Sequence, residues 1–183
     1  KGKSVAVGNF GTATEAAARQ ILDAYGITYD QITVRYQTFS EASKGLAAGT
    51  VDAAFAVSSL PSTNIYEYAQ MRPIKFLPIS VTNATKLKRS CPFFSDGVGT
   101  ENSVATLCID IMLICRSELS QDKVYSFTSS LFDNLDELAS GHAKGSDIYV
   151  DLAPEIRVGN LHSGAKKYYD SLSAKQKNEE KAE

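Results

Sequence analysis

The chain has 183 residues, of which 43% are apolar and 22% charged, the balance of an ordinary globular protein with a sizeable core. Its 19 basic and 21 acidic residues give a net charge of −2, which argues against the basic surface that nucleic-acid binding requires. The longest apolar stretch, residues 104–115, is shorter than a membrane-spanning helix and contains Asp110, so no membrane span is expected.

The first 40 residues predict a strand, a helix and a second strand. Val5–Val7 is the first predicted strand, and the helix after it has apolar residues on one face and ends at Gly26. Thr12 and Glu15 have the spacing of a capping box at the start of this helix. Alternating apolar residues over positions 32–36 predict the second strand.

Two more helix and strand pairs follow. Ser40 is expected to cap a short helix, and residues 53–57 form an apolar run typical of a strand covered on both faces. A weak helix is predicted near residues 65–70, and a fourth strand over residues 74–79. The alternating order predicts an α/β fold, a mostly parallel sheet flanked by helices.

Beyond residue 80 the pattern changes. Residues 104–115 are predicted as one long strand, of a length that often crosses between lobes. Ser120 is expected to cap an amphipathic helix over residues 121–139, and residues 148–152 predict a short strand or extended segment. LHSGAKKYY leads into a last helix, and the chain ends in the charged run KQKNEEKAE.

Two loops follow strands of the predicted sheet, at the edge where open α/β sheets bind ligands. In GNFGTATE, Gly8 and Gly11 allow close backbone approach, while Thr12 and Thr14 lie at a helix N-terminus, which suits a carboxylate or phosphate. Alternatively, Thr12 only caps its own helix. SSLPSTN, residues 58–64, offers uncharged polar groups for a small molecule, or is a plain connection. No nucleotide-binding fingerprint is present.

The sequence offers little for catalysis. His142 and His162 lie beside no nucleophile motif, and GxSxG and HExxH are both missing, so each histidine is interpreted as a surface or capping side chain. Cys91, Cys108 and Cys115 lack CxxC spacing; two of them could pair, which would leave one over. We expect no enzyme, no catalytic residue, no metal and no cofactor.

Asp110 interrupts the apolar run of residues 104–115. Burying an unpaired carboxylate there would cost several kcal/mol. Asp110 therefore either marks a cleft or hinge position where the long strand leaves one lobe, or lies at an edge that faces water.

The runs VAVGNFGTATEAAARQILDAYGITYDQITVRY, GTVDAAFAVSSLP and LHSGAKKYY resemble, in this order, successive blocks of the TAXI family of TRAP-transporter solute-binding proteins over residues 1–172. ARQILDAYGITYD and DAAF are the most specific pieces. The resemblance implies a periplasmic binding protein type II-like fold whose two lobes close on a small organic acid or amino acid, glutamate-like, and a periplasmic receptor that hands its ligand to permease subunits. The ligand contacts that it implies are Gly11, Thr12, Ala13, Thr14, Ser58, Ser59 and Pro61.

The resemblance also predicts the domain organisation. Residues 1–108 correspond to an α/β ligand-binding lobe, residues 109–172 to a crossover strand and helices of the other lobe, and residues 173–183 to a charged flexible tail. Relatives usually have a first-lobe segment before the block that begins at Lys1, and no signal peptide is seen in this chain. The second lobe is therefore expected to be incomplete, with an exposed apolar face that favours self-association.

Departures from the family pattern leave an alternative open. The loop over residues 95–103 is shorter than in relatives, and Cys91 and Asp110 replace residues of other types. The recurring loop with His162 and Gly164 has no assigned role. A diverged or truncated module with the same fold that recognises a protein or serves as a surface antigen is the second hypothesis.

Overall fold

Residues 1–58, 70, 73–98, 104–142, 145–151, 153–154 and 159–179 are described by the computed structural model. The chain divides into two compact units, Lys1–Asp110 and Ile111–Glu183. Asp110, the residue predicted to mark a crossing point, is the last residue of the first unit. The assignment of the units as a ligand-binding lobe and an incomplete lobe stays a prediction.

The first unit is organised around a three-stranded parallel sheet. Strands β1 (Ser4–Ala6), β2 (Thr33–Arg35) and β3 (Ala53–Ala54) are arranged in the order β2-β1-β3, so the first strand of the chain is central. The expected α/β fold with a parallel sheet is confirmed. The strand expected over residues 53–57 is shorter, and Ala56 and Val57 are exposed, so the expectation that this run is covered on both faces was wrong.

Helices α1 (Ala13–Ala24) and α2 (Phe39–Ala48) cover opposite faces of this sheet. Because side chains alternate along a strand, β1 contributes to two cores. One core contains Val5, Val7 and Ala18 of α1, and the other contains Ala6, Ala42 of α2 and Val51.

The cap of α2 differs from the prediction. Thr38, not Ser40, is the N-cap, and it forms a complete capping box with Glu41. The physical reason is that Thr38 and Glu41 have the S/T-x-x-E spacing, whereas Ser40 has no acidic partner at that distance along the chain.

The fourth parallel strand is not formed. Residues 73–80 contain no strand, and their described backbone contact to a strand is the amide of Ile79, 3.0 Å from the carbonyl of Ala105. Pro73 and Pro78 lack the amide that a strand ladder needs. Of the helix predicted over residues 65–70, only Gln70 lies within the described residues.

An antiparallel pair completes the first unit. Strands β4 (Phe94–Val98) and β5 (Ala105–Ile109) pair with each other, and helix α3 (Val81–Ser90) packs beside them through Leu87. The prediction of a single long strand over residues 104–115 was wrong, because β4 offers backbone partners only as far as Ile109. Residues 111–114 are exposed and lie in no strand. Self-association through the exposed apolar face of the incomplete lobe stays a prediction.

The second unit consists of helices α4 (Gln121–Asp133), α5 (Leu135–Gly141) and α6 (Ser163–Glu179), with a 3-10 turn at Gly145–Asp147. Ser120 caps α4 as predicted, since its hydroxyl accepts from the amide of Lys123 at 3.4 Å.

Three expectations for this unit were wrong in part. The predicted helix over 121–139 is interrupted at Asn134, whose backbone is not helical. Residues 148–151 form no strand, and residue 152 lies outside the described residues. Helix α6 continues to residue 179, into the segment predicted as a tail, whose flexibility stays a prediction.

His162 and Gly164 hold the start of α6 against the start of α4. The Nδ1 atom of His162 accepts from the amide of Gly164 at 3.1 Å, so Nε2 has the proton and donates to the carbonyl of Leu119 at 3.1 Å. A Cβ on Gly164 would lie within 3 Å of the carbonyl oxygen of Gln121 and of the amide nitrogen of Tyr125. The capping interpretation of His162 is confirmed, and the loop LHSGA gains a structural role.

We expect Gly164→Ala to lower the free energy of unfolding by roughly 1–3 kcal/mol, because the new methyl group overlaps backbone that cannot rotate away. Gly141→Ala, at the end of α5 with open space around the glycine, is the control and is expected to leave stability within about 0.5 kcal/mol. Urea unfolding of both variants measures the difference. Equal stability of the two variants would contradict the close packing at Gly164.

Candidate functional site

A cleft lies at the carboxyl ends of the three parallel strands in the first unit. Its volume is about 180 Å³. Since a water molecule occupies about 30 Å³ of the liquid, the cleft has room for a small organic molecule. The described residues that line it follow β1, β2 and β3 in turn: Gly8, Asn9, Thr12, Thr14, Gln37, Thr38, Phe39, Phe55, Ala56 and Val57.

The expected contact residues are distributed unevenly around this cleft. Thr12 and Thr14 line it, while Gly11 and Ala13 belong to the same loop and helix start without being part of the described lining. Ser58 directly follows the lining residue Val57 and is exposed. Ser59 and Pro61 lie outside the described residues. Asp110 is exposed at the end of β5 and does not line the cleft.

Gly8 turns the chain from β1 into the loop. Its φ angle is +89°, in the region that favours glycine, and a Cβ there would lie 2.7 Å from the Cβ of Thr14. Both the turn and the close approach of Thr14 therefore depend on the absence of a side chain at Gly8.

Thr12 is fully engaged within its own loop. Its hydroxyl donates to the carbonyl of Asn9 at 2.7 Å and accepts from the amide of Glu15 at 3.3 Å, and its amide also donates to Asn9, at 3.2 Å. Half of the predicted capping box is therefore absent, because the Thr12 amide donates to Asn9 and not to Glu15. For the polar groups of Thr12, the structure shows the capping role that the sequence left open.

The amides of Ala13 and Thr14 are available to a ligand. The first amides of a helix have no intrahelical acceptor, and no acceptor for these two is found in the described part of the chain. Their alignment at the N-terminus of α1 adds the positive end of the helix dipole. This combination favours an anionic group.

The N-terminus of α2 faces the same cleft, but it already holds a carboxylate of the chain. The amide of Thr38 donates to Oε2 of Glu41 at 2.8 Å, and its hydroxyl donates to the same oxygen at 2.7 Å. These hydrogen bonds lower the pKa of Glu41. The amides of Phe39 and Ser40, like those of Ala13 and Thr14, have no acceptor among the described residues. The α2 start differs from the α1 start because the Glu41 carboxylate already lies at its N-cap.

Glu15 places a carboxylate in the first turn of α1, where it would oppose a bound anion. Its side chain is buried, and its Oε1 accepts from Arg19 Nη2 at 2.5 Å and from the Tyr29 hydroxyl at 3.0 Å. The Arg19 guanidinium also lies over the Tyr29 ring, 4.5 Å from its centre. The carboxylate is thus compensated from within the protein, which leaves the helix start suited to an anion.

Burial and the hydrogen bond to Glu15 raise the pKa of Tyr29 to about 12. Sequence reasoning missed Arg19 and Tyr29, because only the fold shows what Glu15 contacts. The i, i+4 spacing of Glu15 and Arg19 was the available signal.

Gln37 is the other cleft residue that sequence reasoning missed. It is half-buried in the cleft wall, and its Oε1 atom is shielded from solvent without a hydrogen-bond partner among the described residues. Its place just after β2, at a strand end, was the signal that could have identified it.

Other site types have no support in the described residues. No described helix is long and apolar enough to cross a membrane, and no group of metal-binding side chains is found in the described ranges. The three cysteines are unpaired, so the open possibility of a disulfide is not realised; Cys108 and Cys115 are exposed.

The raised pKa of Tyr29 predicts how the stability of the protein depends on pH. Its pKa is higher in the folded chain than the ordinary value of 10, so its contribution to stability is complete below pH 10 and is lost as the pH rises through 12. Between pH 10 and 12, the free energy of unfolding of Tyr29→Phe should therefore fall by roughly 1–2 kcal/mol less than that of the wild type.

Tyr25→Phe is the control, because the Ser80 amide lowers the pKa of Tyr25 and its removal cannot reduce that loss. Urea unfolding across this pH range measures all three proteins. Identical slopes for wild type and Tyr29→Phe would contradict the assignment.

A comparison with protein-family profiles agrees with this architecture. The profile described as the NMT1-like family matches residues 1–171, which include every residue described for the cleft. It is a periplasmic binding protein-like family of solute-binding type, so the broader part of the sequence resemblance is confirmed. On this match over nearly its whole length, the chain belongs to the NMT1-like family.

Proposed function

We propose that the chain is the extracytoplasmic solute-binding receptor of a TRAP-type transporter of the TAXI kind. It binds a small, glutamate-like organic carboxylate and delivers it to membrane permease subunits. The observation that supports the carboxylate is the pair of available amides, those of Ala13 and Thr14, at a helix start beside a small cleft. Family membership supports the solute-binding role.

The cleft lining favours binding over catalysis. The described lining consists of glycine, threonine, asparagine, glutamine and apolar residues, and it includes no histidine, cysteine, carboxylate or cation. A ligand carboxylate would be balanced by amides and a helix dipole, an arrangement that holds an anion without activating it. We therefore assign the protein no catalytic residue.

The proposal gives the expected site residues different roles. Ala13 and Thr14 donate their amides to the carboxylate, Gly11 lets the ligand approach the backbone, and Thr12 orders the loop. We propose that Ser58 contacts the ligand from the rim of the cleft. From the family resemblance, we also propose Ser59 and Pro61 as ligand contacts and Asp110 as a hinge residue.

A thermal-shift panel of amino acids and small mono- and dicarboxylates tests the function directly. A ligand present at 100 times its Kd stabilises the protein by about 2.7 kcal/mol, which a melting experiment detects. We expect at least one carboxylate to raise the melting temperature and neutral sugars to leave it unchanged. No response to any carboxylate would contradict the proposal and favour the protein-recognition module.

Ala13→Pro tests the carboxylate contact without disturbing the helix. Ala13 is the first residue of α1, where proline is well tolerated, and the extended backbone of Thr12 is compatible with a following proline. The substitution removes one amide donor. We expect carboxylate affinity to fall about 10- to 100-fold, the range for a lost hydrogen bond to a charged group.

Val81→Pro is the matched control, because Val81 is the first residue of α3 and neither it nor its neighbours in the chain line the cleft, whereas Ala13 lies between the lining residues Thr12 and Thr14. Isothermal titration calorimetry measures both variants, and urea unfolding checks that each is folded. Equal affinities for the two variants would exclude the Ala13 amide as a contact of the carboxylate.

A further inference from the structure

The carboxylate proposal leaves one polar group of the cleft unused. Gln37 lines the cleft, and its Oε1 atom, which is shielded from solvent, has no donor among the described residues. A shielded acceptor without a partner costs about 1–3 kcal/mol, so folded proteins contain few of them. Such a group in a binding cleft calls for a functional explanation.

The coincidence of two properties distinguishes Gln37. The side-chain oxygens of Gln20 and Gln31 also lack partners, but neither residue is in the described lining of the cleft. Gln37 alone, among these three, is both unpartnered and in contact with the cleft. A general packing effect would not distinguish it from the other two.

No described residue of the cleft donates a hydrogen bond to the Oε1 atom of Gln37. Across the cleft lie Phe55, Ala56 and Val57, which present apolar side chains. The neighbouring Thr38 hydroxyl already donates to Glu41. Because the terminal torsion of a glutamine side chain is soft, the oxygen can turn towards a donor that enters the cleft.

We propose that Gln37 determines ligand specificity by accepting a hydrogen bond from an ammonium or hydroxyl group that the ligand has beside its carboxylate. This inference rests on the proposed function. The preferred ligands are then 2-amino or 2-hydroxy acids, and the same acid without that group binds more weakly. A site that provides an acceptor discriminates against such an analogue, because the acceptor stays unpaired in its complex.

Three probes that differ at one position test the proposal: glutamate, 2-hydroxyglutarate and glutarate. With the full chain, we expect calorimetry to show glutamate or 2-hydroxyglutarate binding at least about tenfold more tightly than glutarate, the ratio that one hydrogen bond supplies. The probe that binds more tightly identifies the donor as an ammonium or a hydroxyl.

Gln37→Leu should abolish this preference while its affinity for glutarate stays within about twofold or rises, since the unpaired acceptor is gone. Gln20→Leu, which removes an unpartnered oxygen outside the described lining, is the matched control and should keep the preference.

The outcomes separate the two proposals. Equal affinity of wild type for all three probes, or an unchanged preference in Gln37→Leu, overturns the role of Gln37 and leaves the carboxylate receptor standing. Failure of every carboxylate to bind the wild-type chain overturns both.

Discussion

The parallel pairing of β1 with β2 and β3 is the constraint on which the candidate site depends. Parallel strands end at the same edge, so this pairing brings three loops that are far apart in sequence to one cleft. The strands are only two or three residues long, and side-chain bonds support the pairing. Asp52, just before β3, accepts from the Ser4 amide at 2.8 Å and from Lys3 at 3.0 Å, which lowers its pKa.

The two helices that begin at this edge of the sheet differ in the position of their first-turn carboxylates. At α2 the carboxylate of Glu41 satisfies the N-cap amide, so the chain supplies its own anion there. At α1 the corresponding carboxylate, Glu15, turns away from the N-cap to Arg19 and Tyr29. Two helices with nearly the same capping sequence therefore differ in where their first-turn carboxylate lies, and the contact with Tyr29 contributes to the difference.

How far the sequence predicts this protein depends on the range of the interaction concerned. Local rules correctly placed β1, α1 and the Ser120 cap, as well as the loop that lines the cleft, because each depends on neighbouring residues. The second half of the Thr12 capping box failed because Glu15 binds Arg19, one helical turn along, and Tyr29, which only the fold brings near. The extent of β5 depends on the length of β4.

The core around the parallel sheet is built from small side chains. Its buried members are Val5, Ala6, Val7, Ala18, Ala42 and Val51, and Val7 is the largest fully buried side chain described. Truncation has little to remove at an alanine, whereas any enlargement must push a helix away from the strands. Substitutions that add volume in this core are therefore expected to change the spacing between the helices and the sheet, and with it the shape of the cleft at the ends of the strands.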